Sequence, residues 1–279
     1  MRSFRTAGRA LAGAVVVVLV LVAGLGVLPG SGPESALAES QSGASSILAY
    51  TRTFPSAIAN AVTSTFVADD SSVYAIGTFS ASLTIGSTIL TSVGSSDVWM
   101  ARYAENGTLL WAESFGTAGA DDADAFTVDG SGNAYLASRG SSSATRLSIA
   151  RFAAADGAVS TLTTLTGTAT VSRPDVTVSG GGVFLAYATD GQHTIGALSV
   201  GSAATETVSV VKLTTTGLAL VKRTATVGDA DAVDLGHAIE PMPNGGVAWF
   251  IPTSAGPTTV GAVTVPAATR RAWSAIRRS

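Results

Sequence analysis

The chain has 279 residues, 13% of them charged, no cysteine and a formal net charge of −3. The lack of cysteine excludes disulfides, thiolate metal sites and cysteine nucleophiles, and the sparse Lys and Arg exclude the broad basic face that nucleic acid requires. Ala, Gly, Ser, Thr and Val dominate, a mixture poor for helical bundles and suited to short strands joined by Gly/Ser turns.

Residues 1–38 have the layout of a signal peptide. Arg2, Arg5 and Arg9 precede an uncharged apolar run from Ala10 to Leu28, and Pro29 ends it. Ala36-Leu37-Ala38 has the small-x-small spacing of a signal peptidase site, so cleavage is expected after Ala38, with 39–46 as a short linker. The rival is a retained membrane anchor, since about 19 apolar residues can span a bilayer; a membrane is a partner only in that case. Either route exports the remainder, so the expected location is secreted or cell-surface. Losing residues 1–38 removes three arginines and Glu34, leaving 13 basic and 18 acidic residues, a net charge of about −5.

Beyond residue 46 apolar residues alternate in short runs broken by Gly, Ser, Asn and Asp, as in half-buried strands. The runs recur. "FVADDSSVYAIGTFS" from Phe66 is echoed from Phe126, Val176 and Pro241, each copy reading as strand, turn and strand with an aromatic near the second strand's start. Those aromatics, Tyr74, Tyr135, Phe184 and Trp249, are 61, 49 and 65 residues apart. A second element, "LTIGSTIL" at 83–90, returns at 193–200 and 258–265 and is missing from the second copy, which accounts for its short interval.

A third element, "VWMARYAENGTLLW" from Val98, returns from Leu147 and Val208. Each copy carries a base (Arg102, Arg151, Lys212), a glycine turn (Gly107, Gly157, Gly217) and a following strand, which makes a β-hairpin. Trp99 and Trp111 do not recur: Ser148 and Thr161 replace them in the second copy, Ser209 and Val221 in the third. A repeated binding site would have kept them.

Periods of this length in an all-β chain point to a β-propeller, whose repeats are four-stranded blades. "DGSGNAYLAS" and "TIGSTILTSVGSSDVWMARYAENGTLLWAESFGTAGADD" resemble the bacterial SBBP-type β-propeller repeat family, with its D-x-x-G-N-x-Y segment and its later D-x-F/W-x-A-K/R and D/N-G-x-x-x-W segments. The resemblance covers nearly all of 47–266 and implies an exported or surface-associated propeller, with no catalytic residues to carry over. Copies fall near 62–124, 125–173, 174–238 and 239–266, about four blades. "LAYTRTF" at 48–54 resembles "LWAESF", the last strand of a blade, and is expected to complete the fourth copy and close the ring. The other expectation is an incomplete, open propeller, since 267–279 is a basic, degenerate end in which "RAWSAI" reads as a decayed third strand.

Candidate chemistry is thin. Asp121, Asp122 and Asp124, and Asp229, Asp231 and Asp234 with His237, crowd two linkers between copies. Such carboxylates can hold calcium or cap turns by accepting backbone N–H bonds; the resemblance to the SBBP-type repeat, whose pattern carries an Asp here, favours the second reading. "DGSGN" at 129–133 lacks the acidic twelfth residue of an EF-hand loop. The two histidines, His193 and His237, have no G-x-S-x-G serine to serve, and Glu105, Glu113, Glu206 and Glu240 are too dispersed to form a glycosidase pair. Asn106-Gly107-Thr108 is a formal glycosylation sequon that the hairpin turn explains. No catalytic, cofactor or metal residue is therefore nominated. The expected role is a non-catalytic exported binding or scaffolding module for an extracellular protein or glycan. The alternatives are an extracellular enzyme acting on a carbohydrate or lactone, and a truncated propeller without activity of its own.

Overall fold

The computed structural model describes residues 14–19, 50–55, 61–140, 147–165, 169–202, 207–217, 219–227, 238–251, 258–260, 263–265 and 272–276. Every regular element among them is a β-strand. Strand β1 (Ala14–Leu19), from the apolar run near the N-terminus, pairs antiparallel with β2 (Tyr50–Pro55).

The first sheet is built from β3 (Ala61–Val67), β4 (Val73–Phe79), β7 (Asp97–Tyr103) and β8 (Leu109–Phe115), in the order 3-4-7-8. The hairpin of β5 (Ser82–Ile85) and β6 (Thr88–Thr91) is inserted between its second and third strands. A second sheet repeats the plan without the insertion: β9 (Asp121–Val128), β10 (Ala134–Gly140), β11 (Leu147–Phe152) and β12 (Val159–Leu165) lie in chain order. The third restores it, with β13 (Val171–Ser179), β14 (Gly182–Thr189), β17 (Thr207–Thr214) and β18 (Ala219–Val227) in the sheet and β15 (His193–Ile195) and β16 (Leu198–Val200) as the hairpin. Every ladder is antiparallel, and the hairpins among them are joined by short turns.

The fourth unit is smaller. Strands β19 (Ala238–Pro241), β20 (Val247–Ile251) and β23 (Ala272–Ile276) form a three-stranded sheet, and Phe250 pairs with Trp273 where the sequence places a decayed third strand. The hairpin of β21 (Thr258–Val260) and β22 (Val263–Val265) adds to the outer edge of the third sheet through β18, making six strands there. Among the described residues Tyr50–Pro55 pairs with β1, inside the segment expected to be removed, β23 lies beside β20 as the third strand of the fourth sheet, and no sheet closes.

The sheets stack face to face through apolar side chains. Tyr74, Ile76, Met100 and Trp111 of the first pack against Ala134, Leu136, Ala150 and Phe152 of the second. Tyr135 and Ile149 meet Val183, Leu185, Tyr187 and Leu213 of the third, whose opposite face, with Phe184 and Val210, meets Val247 and Trp249 of the fourth. The inner strands of the middle sheets are covered on both faces, and β14 is buried at all eight positions. This explains its near-continuous apolar run. Tyr74, Tyr135 and Phe184 all point forward to the next sheet, whereas Trp249 points back to the third. The register shows why: Val247 follows its turn as Val73 and Ala134 follow theirs, so Ala248, not Trp249, occupies the tyrosine position.

Candidate functional site

In an antiparallel meander the first and third turns of a sheet emerge at one end, and the second turn and the inter-sheet connection at the other. The polar residues singled out in the sequence divide between these two ends.

At the first end the recurring bases stand opposite aromatics of their own sheets, and Arg102 also reaches the second sheet. Arg102 lies across the strand from Tyr74, Arg151 from Tyr135 and Lys212 from Phe184. The Arg102 guanidinium sits 5.3 Å from the Tyr74 ring centroid and Lys212 Nζ 5.3 Å from that of Phe184, a favourable cation–π arrangement. Arg102 also donates to Ser72 Oγ at 3.1 Å, to Asp70 at 2.5 Å and to the Ala154 carbonyl in the third turn of the second sheet at 2.6 Å. Trp111 Nε1 donates to the same carbonyl at 3.1 Å, and its ring stacks on Phe152 at 6.2 Å and 6°. Tyr74 donates to the Gly132 carbonyl at 2.5 Å, and burial pushes its phenol up to about 12. Between the third and fourth sheets Ser179 Oγ donates to the Met242 carbonyl at 3.2 Å, and Ile239 N to Asp175 at 3.0 Å.

The turns at this end follow their sequence signals. Asp129 in "DGSGN" accepts from Ser131 N and Asn133 N, each at 2.9 Å, and from the Tyr135 hydroxyl at 3.0 Å, while Gly132 takes φ +81°. Burial raises the Asp129 carboxyl, but these donors outweigh it and hold the group below its usual range. Asn106 caps the next turn by accepting from Thr108 N at 3.0 Å, with Gly107 at φ +81°. Glu105 is exposed there, and Glu113 is half-buried, its carboxyl raised first by burial and then by Asp156.

The opposite end holds the linker carboxylates. Asp121 is buried and accepts from Thr117 N at 2.6 Å and Thr117 Oγ1 at 3.0 Å. Burial lifts its carboxyl above the usual range against those bonds, and Asp97 adds to the rise. Asp97, also buried, accepts from Val93 N at 2.8 Å and Gly94 N at 3.3 Å across an equivalent loop. Asp124 receives the Arg139 backbone N–H at 2.9 Å and its Nε at 2.8 Å, and Asp122 lies 3.6 Å from the same guanidinium. These carboxylates are turn caps and ion-pair partners. Among the described residues no group of three or more His, Cys, Asp or Glu is placed to hold a metal ion. Asp229, Asp231, Asp234, His237 and Glu206 lie outside the described residues; Glu240 is exposed on β19.

His193 joins a tyrosine that sequence reasoning did not pair with it. Its Nε2 lies 2.5 Å from Tyr187 Oη, with ring centroids 5.3 Å apart, and both residues are buried. The signal was available: Leu83 holds the equivalent place in the first hairpin, facing Leu90 as His193 faces Val200. Only a polar partner beneath the hairpin would favour histidine there.

The two unrepeated tryptophans have separate structural causes. Trp111 stands opposite Arg102, where the second sheet has Ser160 and the third Val221. The first sheet is bulged between Arg102 and Tyr103 and the second is not, which offsets the extra residue of the second sheet's turn and moves the equivalence by one from Thr161. Trp99 lies beneath the β5–β6 hairpin with Leu83, Ile85 and Leu90. No protein-family model matches the chain, and no curated protein matches it. Fold and site together define an all-β protein of repeated antiparallel sheets stacked face to face, with a base opposite an aromatic recurring in three of them.

Proposed function

We propose that the chain is an exported, non-catalytic repeat protein of the β-propeller type, an open arc of about four blades serving as a binding or scaffolding module. One observation carries the functional part: the conspicuous polar and aromatic side chains at the first end are engaged within and between sheets, whereas the most exposed large apolar groups lie at the hairpin end. Ile89 is 68% exposed and Val93 76% exposed, both at or just after β6. Exposed apolar groups on a rigid sheet scaffold suit a partner surface better than they suit turnover. The propeller reading is supported by the four-stranded meanders, by the face-to-face stacking and by the contact of the first strands β3, β9, β13 and β19 with one another in succession. Resemblance to SBBP-type repeats points the same way. Export rests on the basic start, the apolar run and the Ala-x-Ala site of residues 1–38. The partner is an extracellular protein or glycan.

The test is expression of the full chain in a bacterial host with fractionation and N-terminal sequencing, together with binding to a glycan array and assays on polysaccharides and lactones. A product outside the cytoplasm beginning at Glu39 supports the reading. Retention in the cytoplasm overturns export, and turnover of a polysaccharide or lactone overturns the non-catalytic assignment.

A further inference from the structure

The two inserted hairpins occupy equivalent places and are seated differently. The first lies on its sheet through Leu83 over an apolar cluster that includes Trp99, the second through His193 hydrogen-bonded to Tyr187. His193 is 7% exposed and Tyr187 fully buried, and Ile195 and Val200 complete the contact with the third sheet. We propose that the β15–β16 hairpin is an acid-released flap, in which protonation of His193 unseats the hairpin and opens the apolar seam between the second and third sheets.

Among the described residues the surroundings provide no counter-charge. Strand β12, which packs against β15, has the sequence VSTLTTL, and β16 has LSV; neither holds an ionisable group. Strand β14 presents Tyr187. Tyr135, in the same cluster, is tied to Asp129, and the exposed Asp190 before the hairpin accepts from Thr170 N. Lys222 of β18 bonds the Ser199 carbonyl on the far strand of the hairpin, adding a positive charge. A neutral imidazole accepts the phenol's proton at Nε2; a protonated one turns that nitrogen into a donor and buries a cation that no carboxylate among the described residues faces. Burial holds the His193 imidazole below its ordinary range, with the Gly191 backbone opposing. The sign follows: the seated hairpin is stable above the ordinary histidine value of about 6.5 and loses stability as pH falls toward the lower value of the seated state.

Hydrogen exchange on the full chain between pH 7.5 and 4.5 tests the proposal, with the 83–90 hairpin as the internal reference. Protection factors in 193–200 are expected to fall by up to about tenfold per pH unit below about 6.5. Those in 83–90 stay level, and His193→Leu abolishes the fall in 193–200. Parallel losses in both hairpins, or an unchanged fall in His193→Leu, would overturn it. Should that variant fail to fold, the wild-type imidazole signal decides by NMR: in the seated state the His193 titration is displaced to the acid side of the ordinary value, and ordinary titration without loss of protection contradicts the flap.

Discussion

Trp99 on β7 stands directly across from Gly77 on β4, and the same two places in the third sheet hold Ser209 and Tyr187. In both sheets one large aromatic ring is matched by a small residue, but the ring has changed strands. In the second sheet, which lacks the hairpin, the pair is Ser138 and Ser148. The aromatic is thus the seat of the hairpin, and only one ring fits in each seat. Ser209→Trp is expected to destabilise the chain by about 1–3 kcal/mol through overpacking. Adding Tyr187→Gly should recover part of that loss, with a coupling of at least about 0.5 kcal/mol in urea unfolding. Simple additivity would show that the places do not share a seat.

Arg102 has one exposed partner and one buried task. Its ion pair with Asp70 has an acid that is 54% exposed, and such pairs contribute about 0–1 kcal/mol. Its bond to the Ala154 carbonyl crosses between sheets, and charged hydrogen bonds of that kind contribute about 1.5–3 kcal/mol. Asp70→Asn is expected to shift the urea midpoint slightly, and Arg102→Leu several times as much.

A methyl group at Gly157 would lie 2.8 Å from the Trp111 ring and from Glu113 Cγ, on a residue with φ +76°. Gly157→Ala is expected to cost more than about 1 kcal/mol, because strain and overlap act together. Gly130→Ala, which meets nothing within 4 Å, is the control and should leave thermal stability almost unchanged.

Stability should also respond to acid through the turn carboxylates. Asp70, held low chiefly by the Ser72 hydroxyl, and Asp129, held low by donors that outweigh its burial, have depressed folded values. Their contribution is present above the unfolded value of about 3.9 and is lost as pH falls through the lower folded value. Asp121, raised by burial, has the opposite sign: its contribution is fully present below the unfolded value and is lost as pH rises through the folded one. In urea unfolding at pH 6 and pH 3, Asp129→Asn is expected to lower stability at pH 6 and to narrow the difference between the two.

The sequence shows the strands well and their partners poorly. Gly107, Gly157 and Gly217 announce hairpins because each takes a positive φ that other residues avoid, and the repeats locate β3–β4, β9–β10 and β13–β14 directly. Trp249 is misplaced by one because its turn, Met242–Gly246, is one residue longer than the third copy's, and one residue reverses the face. The bulge between Arg102 and Tyr103, absent from the second sheet, conceals Ser160 in the same way. Base recurrence is visible, but its cause, a cross-strand aromatic reaching the next sheet, exists only after the sheets stack. The pairing of residues 50–55 with β1 is invisible to a pattern search that compares them with other fourth strands.

The central claim is that repeats are joined face to face by side chains that look like ligand contacts. A double-mutant cycle between Trp111 and Phe152, using Trp111→Leu and Phe152→Leu in urea unfolding, measures that joint directly. The stacked rings are expected to give a coupling of about 0.5–1.5 kcal/mol. A coupling indistinguishable from zero, with both single variants near wild-type stability, would contradict the account.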